Sequence, residues 1–365
     1  MKLEDIPIPG LASRRAPRVG PAQRRVLLAA GALTTAALGV SWEVQRRRDL
    51  RQIKADPDHR LLSSPPEGRP VTVRAGTGPS LHAEVFGPDD APTIVLVHGW
   101  TCSLRFWAFQ LAELSASHRV VAFDLRGHGR SDSAPSRDYS TEAFAVDLDA
   151  VLRELVPADE RVTLVGHSLG AMTILAWAAA NHEAVEGRVA ATALINMGTG
   201  DLITEALIVR LPAVLVRARQ LVGRIALSVP APLPPQPTPL TNRLVRYVAL
   251  SPSASPAQVA FSERMVLSAR PIIRARTGAS LSRMDLAEAI RSLTVPTIVI
   301  AGEHDRLTPP IHSQRLFEEL PNAKAMIKIP DVGHMSPLEA HDEVTAHLRA
   351  LAVDYGRAPM HTPSE

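Results

Sequence analysis

Two kinds of hydrophobic pattern alternate along the chain from residue 69 onward. Short runs rich in Val, Ile and Ala predict β-strands, and longer segments with apolar residues every three or four positions, such as 141–155, predict amphipathic helices. The first two runs flank a Gly-Thr-Gly-Pro turn and alternate in character, which predicts a hairpin. The later runs are almost continuously apolar, as is typical of parallel strands covered on both faces. We therefore predict an α/β fold with a mostly parallel, doubly wound sheet, whose strands are residues 71–76, 81–87, 93–99, 119–127, 161–168, 191–198, 296–305 and 323–334.

One long interval breaks this alternation, because residues 199–290 contain no convincing strand pattern. They hold amphipathic stretches such as 211–227, a proline-rich segment at 230–240, and then further helical pattern. An interval of this length is too long for a simple loop, so we predict a helical cap over about residues 199–290. The cap is rich in arginine. We interpret these side chains as the solvated faces of its helices, with a surface for an acidic substrate or a lipid as the alternative.

An uncharged segment near the N-terminus, residues 26–42, follows Arg24 and Arg25 and precedes the basic run 46–48. Its length is at the lower limit for a membrane-spanning helix and slightly long for the apolar part of a signal peptide. We predict an uncleaved membrane anchor. A cleaved export signal of the twin-arginine type and a soluble helix that packs on the body are the alternatives. The expected location is accordingly membrane-anchored or exported, rather than soluble in the cytoplasm.

Charge and cysteine content narrow the classes of function. The net charge is +3, yet residues 1–60 carry twelve Lys or Arg and only six acids. A basic end on a mildly acidic remainder favours a membrane surface or export over a nucleic-acid groove. No nucleic-acid-binding motif is present, so no nucleic-acid partner is expected. The single cysteine, Cys102, excludes an intramolecular disulfide and a Cys-x-x-Cys motif.

The stretch Gly-His-Ser-Leu-Gly at 166–170 joins a predicted strand to a predicted helix. A serine hydroxyl becomes a good nucleophile when a base takes its proton and its oxygen is held clear of the fold. Gly166 and Gly170 permit the sharp turn that would expose Ser168 in this way. The pattern therefore predicts a nucleophile between a strand and a helix.

A second segment that this chemistry requires ends the third predicted strand, at His98, Gly99 and Trp100. We expect the backbone N–H of Trp100 to form an oxyanion hole with that of Leu169, which directly follows the candidate nucleophile. His98 is interpreted as shaping this loop through hydrogen bonds. The side chain of His167 is expected to pack rather than react.

A candidate base and a candidate acid occur later in the chain. His334 lies in a Gly-His pair after the last predicted strand, and Asp305 lies at the carboxyl end of the strand before it. Open α/β sheets build their sites at the carboxyl ends of parallel strands. The chain order Ser, Asp, His is the one expected for such a site. Glu303 and Asp201 are the alternatives to Asp305 as the acid.

These motifs, together with the stretch Phe-Asp-Leu-Arg-Gly-His-Gly-Arg-Ser at 123–131, resemble the α/β-hydrolase fold superfamily over about residues 69–352. The chain is similar to its capped serine hydrolases, which include esterases, lipases, haloperoxidase-like enzymes and proline iminopeptidases. The resemblance implies that Ser168 is the nucleophile, His334 the general base and acid, and Asp305 the group that orients the imidazole. It implies no metal and no organic cofactor, and a structural role for the polar residues of 123–131.

The same interpretation divides the chain into a basic and hydrophobic segment with a linker at 1–65, a hydrolase domain at 66–352 and a tail at 353–365. The predicted reaction is hydrolysis of a small-molecule or lipid carboxylic ester with a hydrophobic acyl or alcohol part. Serine at position 168 argues against the related dehalogenases and epoxide hydrolases, which use a carboxylate nucleophile. Peptidase, thioesterase, perhydrolase or haloperoxidase-like and C–C hydrolase activities use the same triad and stay open. A non-catalytic binding protein of this fold is the alternative of another class.

Overall fold

The computed structural model describes residue 20 and residues 40–200, 202–206 and 216–356, without the side chains of residues 204 and 216–219. The chain divides into two compact units, Met1–Arg48 and Asp49–Glu365. A helix, α1, occupies residues 40–55. Within it Glu43 forms ion pairs with Arg46 and Arg47.

The predicted membrane anchor is not supported by the described residues. Most of the segment 26–42 lies outside them. In the part of the chain that the structure describes, no helix is both long enough and apolar enough to cross a bilayer. α1 itself is rich in charged side chains, and residues 26–42 remain an anchor by prediction alone.

One sheet contains eight strands: β1 (Arg69–Arg74), β2 (Ser80–Phe86), β3 (Thr93–Val97), β4 (Arg119–Phe123), β5 (Val162–His167), β6 (Val189–Ile195), β7 (Thr297–Gly302) and β8 (Ala323–Ile329). Their order is β1-β2-β4-β3-β5-β6-β7-β8. β2 pairs antiparallel with β1 and with β4, and the other pairings are parallel. This confirms the predicted hairpin and the mostly parallel sheet.

The remaining described α-helices are α2 (His59–Ser63), α3 (Ala108–Leu114), α4 (Thr141–Leu155), α5 (Leu169–Ala180), α6 (His182–Arg188), α7 (Leu202–Glu205), α8 (Val216–Ser228), α9 (Pro239–Ala249), α10 (Pro256–Ser268), α11 (Pro271–Leu281), α12 (Pro310–Glu319), α13 (Ser336–Glu339) and α14 (His341–Tyr355). α4 covers the residues that the sequence pattern predicts, and the Ser140 hydroxyl caps it by accepting a hydrogen bond from the Ala143 N–H. Alternate side chains of β3 enter two different apolar cores, Val95 in one and Ile94 in the other. Helices therefore cover both faces of the sheet.

The helices α7–α11 lie between β6 and β7 and form the predicted cap. α9 and α10 each begin with a capping box, Thr238 with Thr241 and Ser255 with Gln258, followed by a proline in the first turn. The N–H groups of a helix's first turn have no partner within the helix, so proline, which has no N–H, is tolerated there. The proline-rich segment accordingly ends in the first turn of α9.

Residues 56–63 pack on the cap although the sequence pattern assigns them to the segment before the body. The Asp56 carboxylate accepts a hydrogen bond from the Ala257 N–H at 2.9 Å, and that of Asp58 accepts one from the Gln258 side chain at 2.8 Å. Both contacts are made in the first turn of α10, where unpaired N–H groups attract carboxylates. Leu62 adds a buried apolar contact to the core.

Candidate active site

Ser168 lies on the turn that joins β5 to α5, as predicted. Its φ is +52° and its ψ is −118°, a conformation that costs a non-glycine residue about 1–3 kcal/mol. Backbone hydrogen bonds hold it there, because the Ser168 N–H donates to the Ile195 carbonyl at 2.9 Å and the Ser168 carbonyl accepts from the Met172 N–H at 3.1 Å. The side chain is half-buried. This is the geometry of a sharp elbow that presents a serine at the end of a strand.

The two glycines of the elbow are required by close backbone approach. A Cβ on Gly166 would lie 2.5 Å from the backbone of Ala171, within the same turn. A Cβ on Gly170 would overlap the carbonyl oxygen of Val97, which ends β3. The absence of these side chains lets the first turn of α5 pack directly on the end of the neighbouring strand.

The loop after β3 lies against the elbow because β3 and β5 are parallel neighbours, with Val97 opposite Gly166. Gly99 approaches the elbow closely, since a Cβ there would lie 2.8 Å from Nδ1 of His167 and 3.2 Å from the Cβ of Ser168. Among the described residues, the backbone N–H groups of Trp100 and Leu169 donate no hydrogen bond. Both are therefore available to an oxygen on the substrate, as the prediction of an oxyanion hole requires.

His98 supports this loop and does not face the elbow as a base. Its Nε2 accepts a hydrogen bond from the Leu125 N–H at 3.0 Å, so the proton is on Nδ1, which donates to the Gly99 carbonyl at 2.8 Å. Complete burial lowers the pKa of His98 to about 4. The imidazole is consequently neutral at pH 7 and holds the carbonyl of Gly99 in place.

Asp305 and His334 are brought together by the loops that follow β7 and β8. The Nδ1 of His334 donates to Asp305 Oδ2 at 2.8 Å, and both side chains are buried. Asp305 also accepts hydrogen bonds from the N–H groups of Leu307 and Thr308, each at 2.9 Å, and from the Thr308 hydroxyl at 2.8 Å. Burial raises the pKa of the Asp305 carboxyl, but His334 and the hydrogen bonds outweigh it and hold that pKa below its ordinary value.

Of the two alternative acids, Glu303 does not contact His334 among the described residues. Glu303 is exposed and pairs with Lys328 at 3.3 Å. Asp201 lies outside the described residues. The acid that contacts His334 is Asp305, which follows Glu303 by two positions and lies beyond the end of β7.

His167 links the elbow to the loop of His334, a role beyond the packing that the sequence predicts. Its Nε2 donates to the carbonyl oxygen of His334 at 2.8 Å, and its ring stacks on Phe106 at a centroid distance of 4.5 Å. Burial, with the neighbouring His334, lowers the pKa of His167 to about 3, so the ring stays neutral. The residue before Ser168 is thus tied to the backbone of His334.

Two further residues around the Asp305–His334 pair were not found by sequence reasoning. Asn196, at the end of β6, donates from its side chain to Asp305 Oδ2 at 2.9 Å and accepts from the Ser336 hydroxyl at 2.5 Å. Its φ of +48° is one that asparagine tolerates better than most residues. A polar residue that ends an apolar strand was the available signal.

Glu339 is the second of these residues. Its carboxylate accepts hydrogen bonds from the N–H groups of Gly333 and Met335, on either side of His334, at 3.1 and 3.2 Å. It also accepts one from the Ser251 N–H in the cap at 2.7 Å. Burial raises the pKa of the Glu339 carboxyl, against the lowering effect of these bonds. Glu339 therefore fixes the histidine loop and connects it to the cap.

After Phe123, which ends β4, residues 124–131 form a loop held by contacts within it and with neighbouring segments. Asp124 accepts from the N–H groups of Leu104 and Arg130 at 2.7 and 2.8 Å. Arg126 makes a two-pronged contact with the carboxylate of Asp147 at 2.6 and 2.7 Å. These contacts support the structural interpretation of the loop.

One group among the described residues has potential metal ligands within 4.8 Å of one another: Glu113, His341 and Asp342. Two of the three are exposed. His341 stacks on Phe109 at 3.7 Å and lies 3.6 Å from a carboxylate oxygen of Asp58, and none of the group belongs to the predicted triad. The candidate site consists instead of the bonded pair Asp305–His334 and of Ser168, whose neighbour His167 is bonded to the backbone of His334.

Comparison with known proteins places the chain in a family. The family model described as alpha/beta hydrolase fold matches residues 92–341. A protein of Variovorax paradoxus that carries the name carbamate hydrolase RutD is 32% identical over 255 residues, which cover 70% of this chain and 89% of that protein. The chain belongs to the α/β-hydrolase fold family, as its motifs predict.

Solved structures show the same fold. A thermophilic esterase from Thermogutta terrifontis superposes with a TM-score of 0.63 at 23% identity, covering 79% of this chain and 99% of that chain. The esterase RhEst1 from Rhodococcus sp. ECU1013 has a TM-score of 0.57 at 25% identity and covers 79% of this chain and 99% of its own. Esterases are therefore among the solved structures that share the fold of this chain.

Proposed function

We propose that this protein is a serine hydrolase that cleaves a carboxylic ester through an acyl-enzyme on Ser168. The observation that carries the proposal is the strained serine on the β5–α5 elbow, tied through His167 to a histidine that is bonded to a buried aspartate. Strain of this kind persists only where the surrounding structure enforces it, and it is concentrated at functional sites.

The hydrogen bond that His334 already makes to Asp305 determines the proposed chemistry. Because Nδ1 of His334 is bonded to Asp305, Nε2 is the atom that takes the proton of the Ser168 hydroxyl as its oxygen attacks the substrate carbonyl. The N–H groups of Trp100 and Leu169 stabilise the resulting oxyanion. His334 then protonates the departing alcohol, and water, activated by the same Nε2, releases the acid and restores Ser168.

An ester with a hydrophobic part is the substrate class that the cap supports. The cap helix α11 lies over Trp100, where a Cβ on Gly278 would be 3.1 Å from the indole ring. The same glycine approaches the carbonyl of Leu227 in α8. An aromatic wall between two cap helices favours an apolar acyl or alcohol group, and the structural relatives include esterases.

Carbamate cleavage is a second candidate, favoured by the likeness to the protein named carbamate hydrolase RutD. A carbamate presents a similar carbonyl to Ser168, but cleavage of its C–N bond releases ammonia where an ester releases an alcohol. Parallel assays of alcohol release from p-nitrophenyl esters and ammonia release from simple carbamates compare the two. A higher kcat/KM for the esters supports the first proposal, and a higher value for the carbamates supports the second.

A fluorophosphonate probe tests the serine mechanism directly. We expect stoichiometric labelling of the wild-type protein, an adduct located at Ser168, and no labelling or ester hydrolysis in Ser168→Ala. Ser133→Ala, which removes an exposed hydroxyl elsewhere, is the matched control and should behave as wild type. Equal labelling in wild type and Ser168→Ala would contradict the proposal.

A further inference from the structure

The cap carries a strongly one-sided charge. Between residues 206 and 284 the sequence has eleven arginines and a single acid, Glu263. That acid is buried, and its carboxylate accepts hydrogen bonds from the Thr238 N–H at 3.1 Å and the Asn242 side chain at 3.0 Å. Of the arginines, the eight with described side chains form no ion pair with a described residue: Arg224, Arg243, Arg246, Arg264, Arg270, Arg274, Arg276 and Arg283.

Helix α9 presents apolar side chains outward among these arginines. Leu240, Leu244 and Tyr247 are 70%, 56% and 48% exposed and recur at intervals of four and three residues, so they form one stripe along the helix. Arg243 lies in the same stripe and is also exposed. The opposite side of α9 buries Val245 in the core. The helix therefore buries one apolar side and exposes a second, Leu240 and Leu244 foremost.

Helix α8 repeats this arrangement. Leu221, Val222 and Ile225 are all exposed, and Arg224 is exposed among them. We use cap surface as the joint name for the exposed residues of these two helices, which pack on different neighbours, α8 on α11 and α9 on α10: Leu221, Val222, Arg224, Ile225, Leu240, Arg243, Leu244 and Tyr247. Scattered exposed leucines are ordinary on a protein, but two helical stripes of apolar residues interleaved with arginine are not.

The cap surface adjoins the candidate active site through the end of α9. The carbonyl of Ala249, the last residue of α9, accepts the N–H of His334 at 2.9 Å. Arg306, next to Asp305, donates to the carbonyl of Tyr247 at 2.6 Å and places its guanidinium 4.7 Å from the centre of that ring. The C-terminal end of α9 therefore lies beside the loops that carry His334 and Asp305.

We propose that the cap surface docks on an anionic phospholipid bilayer. Helices that lie in the plane of a membrane combine an apolar side, which enters the boundary of the acyl chains, with basic side chains that contact acidic head groups. Both elements occur here on the same stripes, and the predicted cap, residues 199–290, has eleven arginines against five acids, Asp201, Glu205, Glu263, Asp285 and Glu288. The proposal goes beyond ester hydrolysis and holds whichever bond the enzyme cleaves.

Environment-sensitive labels on the full-length protein test the docking. Cys102 is buried and burial raises the pKa of its thiol to about 12, so a cysteine introduced at the surface is labelled selectively. The variants Leu244→Cys and Ile225→Cys place an NBD fluorophore on the cap surface. Ile311→Cys and Val353→Cys, at exposed apolar residues of α12 and α14, are the matched controls. Each is mixed with vesicles of phosphatidylcholine alone or with about one third phosphatidylglycerol.

We expect NBD emission to shift to shorter wavelength and rise at least about two-fold at positions 244 and 225 on the anionic vesicles, with little change at 311 and 353. About 0.5 M salt should reverse the change, because screening weakens attraction to head groups. Arg243→Glu should weaken vesicle binding several-fold more than Arg291→Glu, which alters an exposed arginine outside the cap.

Several results would overturn the docking proposal. Vesicle binding without a response at 244 and 225 would assign the binding to another segment, such as residues 26–42. An equal response on neutral vesicles would remove the role of charge. A response that needs no vesicles and grows with protein concentration would show that a second copy of the chain covers the cap surface. An absence of vesicle binding would refute it outright.

Discussion

At the scale of single residues, Asp305 is held by donors on every side, from Leu307, Thr308, Asn196 and His334. Asp305→Asn replaces one acceptor oxygen with an N–H₂ group and favours the wrong tautomer of the imidazole. We expect kcat for ester hydrolysis to fall by about 10³-fold or more, while the far-ultraviolet circular dichroism is retained.

Glu303→Gln is the matched control for this change, since Glu303 is exposed on the same loop and bonds only Lys328 in the described structure. Its activity should stay within about two-fold of wild type, as for surface substitutions that leave the site intact. Near-normal turnover in Asp305→Asn would instead transfer the role of the acid to another residue, Asp201 foremost.

The sequence could predict the three residues of the proposed triad, but not the residues that hold them in place. Ser168, Asp305 and His334 each follow a recognisable strand, so their common edge was foreseeable from the order of the strands. Asn196 and Glu339 act through hydrogen bonds to loops far from them along the chain or to backbone N–H groups. Such contacts depend on the exact path of the loops, and residue type alone does not reveal them.

At the scale of elements, the strands were predictable because buried parallel strands are almost wholly apolar. Several predicted strands nevertheless extend some residues beyond the carboxyl ends that the structure shows. The predicted strand 119–127 ends in the structure at Phe123, and the predicted strand 323–334 ends at Ile329. The extra residues form loops, of which the one after β8 carries His334. Residues 124–127 and 332–334 are buried although they lie beyond the ladder of hydrogen bonds, whereas Pro330 and Asp331 are exposed.

The elbow provides a prediction at this scale, because Gly170 allows α5 to pack against β3. Gly170→Ala would drive a methyl group into the Val97 carbonyl. We expect the free energy of unfolding to fall by about 3 kcal/mol or more, measured by urea denaturation. Gly187→Ala in α6 is the control, since a Cβ there meets nothing within 4 Å. It should stabilise the protein by about 0.5–1 kcal/mol, and equal stability of the two variants would contradict the packing argument.

At the scale of the whole molecule, three buried histidines make the stability of the fold depend on pH. Burial lowers the pKa of His98 to about 4, and burial together with neighbouring histidines lowers the pKa of His128 and His167 to about 3. Each ring is neutral in the folded protein, whereas an unfolded chain protonates histidine at a pKa of about 6.5. The stability that they contribute is fully present above about pH 6.5 and is lost progressively as the pH falls toward their folded-state pKa values.

His128 allows this effect to be measured on its own. At pH 5 the unfolded state has gained a proton at this residue and the folded state has not, which lowers the free energy of unfolding by about 2 kcal/mol relative to pH 7. In His128→Gln the loss between pH 7 and pH 5 should therefore be about 2 kcal/mol smaller than in wild type. Urea denaturation at both pH values measures it, and the comparison with wild type cancels the buried carboxyls of Asp124 and Asp147, whose raised pKa values act in the opposite direction. His182→Gln, at an exposed position, is the control and should lose as much free energy of unfolding between pH 7 and pH 5 as wild type. If His128→Gln also loses as much as wild type, the burial of His128 does not control the acid stability.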